Sequence, residues 1–226
     1  MTDSRGRKIL LDIDELAEYA LMTAAMEGHL DTFKALNIYG IKNYDRHYLA
    51  LASAHGYLRV VKFLVTHGAN PAAENNAAVQ VASLNGHLDI VKFLSTLPGV
   101  NVADVDNEAI INASKNGHLD VIKFLLTLPK VNSADQGNLA IRKASENGHV
   151  EVVKLLLKQK KVNPALYYNY AIRKASENGH TEVVRVLLQD KRVNPLDNRT
   201  AQNALELAKN NKRFNIVKLI EQHTKK

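Results

Sequence analysis

The sequence predicts an all-α repeat solenoid of about seven stacked helix–turn–helix units with short hairpin or finger loops between them. Three observations predict it. The run from Asn169 to His180 (Asn-Tyr-Ala-Ile-Arg-Lys-Ala-Ser-Glu-Asn-Gly-His) returns, lightly altered, from Asn138 to His149, from Asn107 to His118 and from Asn76 to His87. The glycines of these runs, Gly86, Gly117, Gly148 and Gly179, stand 31 residues apart, and a fixed period in this range marks stacked supersecondary units. Within each unit the apolar residues keep helical spacing, as with Ile110, Ala113 and Gly117.

Each element follows from its residues. Asn76, Asn107, Asn138 and Asn169 stand before an apolar pattern and are expected to be N-caps of the first helix. Its contact face, Ile141, Ala144 and Gly148 in unit five, is small, so a neighbouring helix can come close. Gly ends the helix as a left-handed C-cap. The second helix opens on Asp89, Asp120, Glu151 or Glu182, an acid at the positive end of the dipole. Lys92, Lys123, Lys154 and Arg185 follow three residues on, within reach for a surface pair. Its other positions are largely apolar, so neighbours must cover most of its sides. It stops near Pro98, near Pro129 or at Lys158–Lys161. Val-Asn and about five polar or small residues then lead to the next unit, room for an extended finger or tight hairpin.

The ends depart from the pattern. Residues 1–13 read as an N-terminal tail, 14–222 as one repeat domain and 223–226 as a C-terminal tail. A first helix, capped by Asp12 or Asp14, runs to about Met26, and Gly28-His29 supplies the landmark. In unit two Tyr57 follows Gly56. In the last unit Lys212-Arg213 replaces Gly-His. The first and last units are expected to act as caps.

This pattern, above all Ala-Ser-x-Asn-Gly-His-x-[Asp/Glu]-Val-Val-[Lys/Arg]-x-Leu-Leu, resembles the ankyrin repeat over about residues 14–222. The family's Thr-Pro-Leu-His is replaced by forms such as Tyr170-Ala-Ile-Arg173, and the units are two residues short. The 31-residue style is similar to that of ankyrin proteins from intracellular bacteria and large viruses. The resemblance implies a curved solenoid that binds other proteins on an inner surface of fingers and first helices.

Composition narrows the function classes. There is no cysteine, hence no disulfide framework and no thiol chemistry. The only N-terminal apolar run, Ile9-Leu10-Leu11, is too short for a signal peptide or membrane span. The expectation is a cytoplasmic or host-cell cytosolic monomer. The Gly-His histidines of successive units stand a helix spacing apart, too far to share zinc. They are expected to bond backbone at the interhelical turn. Ser83, Ser114, Ser145 and Ser176 read as packing residues, and no phosphate loop is present, so neither catalysis nor a cofactor or metal is expected.

The net charge of +7 is uneven. Residues 1–113 carry −4 and residues 114–226 carry +11, which points to an acidic partner for the second half. Arg142-Lys143 and Arg173-Lys174 sit at equivalent first-helix positions and form a basic ladder, with Glu146 and Glu177 in reach of the lysines. Tyrosines gather at Tyr39, Tyr44, Tyr48 and Tyr57 and at Tyr167, Tyr168 and Tyr170. The candidate partner-binding residues are therefore Arg142, Lys143, Arg173, Lys174, Tyr167, Tyr168 and Tyr170, with Lys158, Lys160 and Lys161 outside that face. The function expected is a non-catalytic protein-interaction module, as adaptor, scaffold or effector. Nucleic-acid or other polyanion binding by the basic half is the alternative. No reading motif, and no aromatic interleaved with the basic ladder, supports it.

Overall fold

The computed structural model describes residues 13–40 and 47–225. Its helices pair in seven units. Unit one is α1 (Ile13–Glu27) and α2 (Leu30–Ile38); unit two is α3 (Tyr48–Ala54) and α4 (Leu58–Thr66). Units three and four are α5 (Ala73–Asn85) with α6 (Leu88–Ser95), and α7 (Asp104–Asn116) with α8 (Leu119–Leu125). Units five and six are α9 (Asp135–Glu146) with α10 (Val150–Leu157), and α11 (Leu166–Asn178) with α12 (Thr181–Leu187). Unit seven is α13 (Ala204–Asn210) and α14 (Phe214–Thr224). No strand occurs among the described residues. First helices pack on first helices and second on second, each unit touching its neighbours. Of the two expected caps of α1, Asp14 falls within the helix, while Asp12, like Tyr44, lies outside the described residues.

Small side chains bring the first helices together. Ala82, Ala113, Ala144 and Ala175 are fully buried, as are Ser83, Ser114, Ser145 and Ser176 one position on. Ser83 and Ser114 donate to the carbonyls of Val79 and Ile110 four residues back, which keeps a buried hydroxyl satisfied within its own helix. Larger residues of the second helices, such as Ile122, Leu125 and Leu156, fill the space behind them.

The Gly-His landmark joins units. Gly86, Gly117, Gly148 and Gly179 are left-handed as expected. The histidines bond backbone, but that of the preceding unit: Nε2 of His118 lies 2.9 Å from Leu84 O, and Nε2 of His180 lies 3.0 Å from Glu146 O. The two irregular units keep the device with other residues. Tyr57 lays its ring over Gly28 as His118 does over Gly86. Lys212 takes the left-handed conformation (φ 56°), and Arg213 Nε donates to Glu177 O at 3.1 Å.

The asparagine assignment is corrected. Asn76, Asn107, Asn138 and Asn169 do precede regular helix, but none of them caps it. Each is itself left-handed, closing a three-residue left-handed run (74–76, 105–107, 136–138 and 167–169). Each points forward instead. The Oδ1 of Asn107 accepts from Asn132 N–H at 2.7 Å, and its Nδ2 donates to Asp135 at 2.5 Å. Asn76 does the same with Asn101 and Asp104, and Asn169 with Asn194 and Asp197. Asn138 accepts from Asn163, but Leu166 stands where an aspartate would face its amide. A buried amide gains more from two such bonds than from capping, since both partners are otherwise withdrawn from water. The left-handed run also folds the connection into a compact turn rather than an extended finger.

Two of the four expected acid–base pairs of the second helices do not form. Asp89 and Asp120, one methylene shorter than glutamate, bond the N–H of Ile90 and Val121 rather than the lysine three residues on. Lys92 lies over the ring of Phe124 instead. Glu151 and Glu182 do pair with Lys154 and Arg185.

At the C-terminal joint Arg199 grips Asp197 through Nε and Nη2. These bonds, with the one from Asn169, hold the Asp197 carboxyl well below the usual carboxylate range. A depressed carboxylate stabilises the fold above its unfolded-state pKa of about 4, and the contribution is lost as pH falls below that. The urea midpoint is therefore expected to drop between about pH 4 and pH 2, and less steeply for Asp197→Asn. Parallel profiles for the two proteins would remove Asp197 as the cause.

Candidate partner-binding site

The sequence-predicted residues lie on α9 and α11, adjacent first helices. Arg142 and Arg173 share a position six residues before the landmark glycine, and Lys143 and Lys174 the next. Tyr167 and Tyr168 occupy the left-handed run that opens α11 and are about half exposed; Tyr170 is half-buried.

Stacking brings together residues far apart in sequence. The Arg142 guanidinium lies over the Tyr167 ring, 4.4 Å from its centroid, and 5.3 Å from that of Tyr170. Arg173 lies 6.0 Å from Tyr170 on the other side. Tyr167, Arg142, Tyr170 and Arg173 thus alternate. Arg199, which the sequence reading missed, lies 5.0 Å from the Tyr168 centroid and extends the cluster. This overturns the expectation that no aromatic interleaves with the basic ladder. Along the chain Arg142 and Tyr167 are 25 residues apart, the same offset at which Asn138 meets Asn163.

The arginines also staple the turn before them. Arg142 donates from Nε to Gly137 O at 3.1 Å and from Nη2 to Gln136 O at 2.9 Å; Arg173 donates from Nε to Tyr168 O at 3.0 Å. Gln80, at the same position in unit three, donates to Asn75 O at 2.7 Å. The staple thus works with an uncharged amide, and the positive charge of Arg142 and Arg173 exceeds what it requires. The lysines differ. Lys143 pairs with Glu146 at 2.9 Å and Lys174 with Glu177 at 2.7 Å. The bond to Glu177 holds the Lys174 ammonium above its ordinary range. Their charge is largely balanced, and the arginines carry the surplus.

Gly137 makes the Tyr167 seat. A Cβ there would come within 2.4 Å of the Tyr167 ring. Gly137→Ala is therefore expected to lift Tyr167 off Arg142, raising its reactivity towards tetranitromethane severalfold. Unchanged nitration would show that the ring does not rest on residue 137. The described members of the other tyrosine group, Tyr39, Tyr48 and Tyr57, do not come together as a site. Tyr48 is buried against Phe33, Tyr57 sits in the turn, and Tyr39 is exposed. Among the described residues no group of three His, Asp or Glu could hold a metal ion, and no helix is long and apolar enough to cross a membrane.

Comparison with known proteins agrees with this architecture. A search of curated proteins finds no match. The ankyrin repeat domain of human ASB11 superposes with a TM-score of 0.73 at 22% identity, covering 90% of this chain and 96% of that one; at that identity the likeness shows the fold. The family model for ankyrin repeats in three copies matches residues 7–75 and 78–168. With that match over more than half its length, and with seven stacked helix pairs in the structure, the chain belongs to the ankyrin repeat family.

Proposed function

We propose that the protein is a non-catalytic interaction module that binds an acidic protein surface at units five and six, through Arg142, Arg173 and the Tyr167–Tyr168–Tyr170 turn, with Lys143 and Lys174 beside them. One observation carries the reading: Gln80 performs the staple without charge, so the charge at Arg142 and Arg173 exceeds the staple and, stacked on half-exposed tyrosines, is available to a partner. Half-exposed tyrosines beside it offer large, rigid contact area with a polar tip. Aromatics would supply most of the affinity, and the charges the rate of approach. An adaptor or effector acting as a cytosolic monomer of one repeat domain fits this use.

The test separates charge from fold. Arg142→Gln with Arg173→Gln is expected to keep the array folded, at the loss of the arginine–tyrosine stacks (about 0.5–1 kcal/mol each), and to lower partner recovery from lysate at least tenfold. Alanine at Tyr167 and Tyr168 should mainly speed dissociation. If Lys158→Glu with Lys160→Glu and Lys161→Glu abolishes recovery while the glutamine pair leaves it intact, the partner uses the other face.

A second reading is favoured by the alternating arginines and tyrosines, an arrangement on which single-stranded nucleic acid can stack. Phosphate contacts would make binding fall steeply with salt. The balanced lysines favour the protein partner. A mobility shift with single-stranded RNA that disappears in Arg142→Gln with Arg173→Gln would favour the nucleic acid.

A further inference from the structure

We propose that the partner segment is bipartite: a large apolar side chain seated between units two and three, and carboxylates at Arg142 and Arg173 farther along the same face. This rests on the acidic-partner reading above and adds a second anchor to it.

A cavity of about 240 Å³ opens between α3 and α5, lined by Leu49, Ala50, Pro71, Ala73 and Ala77 among others. Comparison of the repeats shows why it is there. Ala50 occupies the position of Gln80, Arg142 and Arg173. Ala77 occupies the position of Glu108, Leu139 and Tyr170. Ala73 stands where Asp104, Asp135 and Asp197 close the turn elsewhere. Three alanines replace bulkier residues at one joint and, among the described residues, leave it unfilled. Because Ala50 and Ala77 fall in the columns that supply Arg142 and Tyr170, the cavity opens on the face that carries the basic site. Its rim holds Asn70 and the hydrogen-bonded His47 and Glu74, 2.6 Å apart. Beyond it, Tyr19 and Met22 continue the two columns and are exposed. The face is thus apolar at one end and cationic at the other.

The dimensions select an extended segment. An apolar cavity of about 150 Å³ suffices for benzene, so one phenyl or leucyl side chain fits here. From this joint to Arg142 and Arg173 is two to four stacking steps of about 8–10 Å, roughly 20–40 Å in all. An extended chain covers this in about six to twelve residues.

Synthetic peptides test the proposal. The probes are an Asp/Glu hexapeptide alone, and the same peptide joined to a terminal Phe through Gly/Ser spacers of about two or about sixteen residues, in both chain directions. With the long spacer the second contact becomes intramolecular, and affinity is expected to rise about tenfold over the hexapeptide. With the short spacer only carboxylates at the far end of the hexapeptide could engage the arginines while the Phe is seated, so the gain should be clearly smaller. Filling the cavity with Ala77→Leu or Ala50→Gln, residues other units carry at these positions, should erase the gain and leave hexapeptide binding intact. An equal gain with the short spacer, a gain that survives both fillings, or no binding of the long peptide at millimolar concentration would overturn the proposal. Hexapeptide binding that ignores Arg142→Gln with Arg173→Gln would instead overturn the acidic-partner reading.

Discussion

Gly148→Val is expected to cost about 3–5 kcal/mol in urea unfolding, more than any other single change argued from this structure. Three effects act together. The residue is left-handed at φ 80°, where an L side chain, and a β-branched one above all, is strained by about 1–2 kcal/mol. A Cβ would stand 2.6 Å from Nδ1 of His180, so the ring must move. Its bond to Glu146 O, which ties unit six to unit five, is then lost. A double-mutant cycle separates strain from collision. His180→Ala removes the ring, so Gly148→Ala should cost less in that background than alone. Strict additivity would show that the ring does not rest on residue 148.

Asn107→Ala is expected to cost about 2–4 kcal/mol, because it strands the Asn132 N–H and withdraws a donor from Asp135. The array supplies its own control. Asn138 has the first partner and lacks the second, since Leu166 replaces the aspartate. Asn138→Ala should therefore cost less, by about 1 kcal/mol. Both substitutions place alanine in the same left-handed conformation, so the difference reports the carboxylate bond. Equal losses in denaturant titration would mean that the amide–carboxylate link contributes nothing.

Much of this was legible in the sequence, and what was not shares one cause. The glycine at each landmark and the small face of Ile141, Ala144 and Gly148 prescribe helix pairs and close stacking through local geometry. Asn107 was misread because a helix cap and a link to the next unit ask for the same residue at the same place. Only the position of Asn132 and Asp135 in space separates the two. Tyr167 and Arg142 were both singled out, yet their contact was invisible along the chain. Reading the repeats at offsets of 25 and 28 residues, where Asn107 meets Asn132 and Asp135, would have aligned Arg142 with Tyr167 and Tyr170. Arg199 escaped notice because it lies in the longer loop of the last unit, where the period fails.

The exchange of Asp for Leu166 has a mechanical consequence. At the joints closed by Asn76, Asn107 and Asn169, an amide–carboxylate clasp lies largely out of reach of solvent. Between units five and six that clasp is missing, and the Arg142–Tyr167 stack lies across the joint at the surface. A partner that gripped Tyr167 at the proposed site would therefore load the joint itself. On that reading occupancy would change how units five and six bear on each other, and the stiffness of this joint would report it.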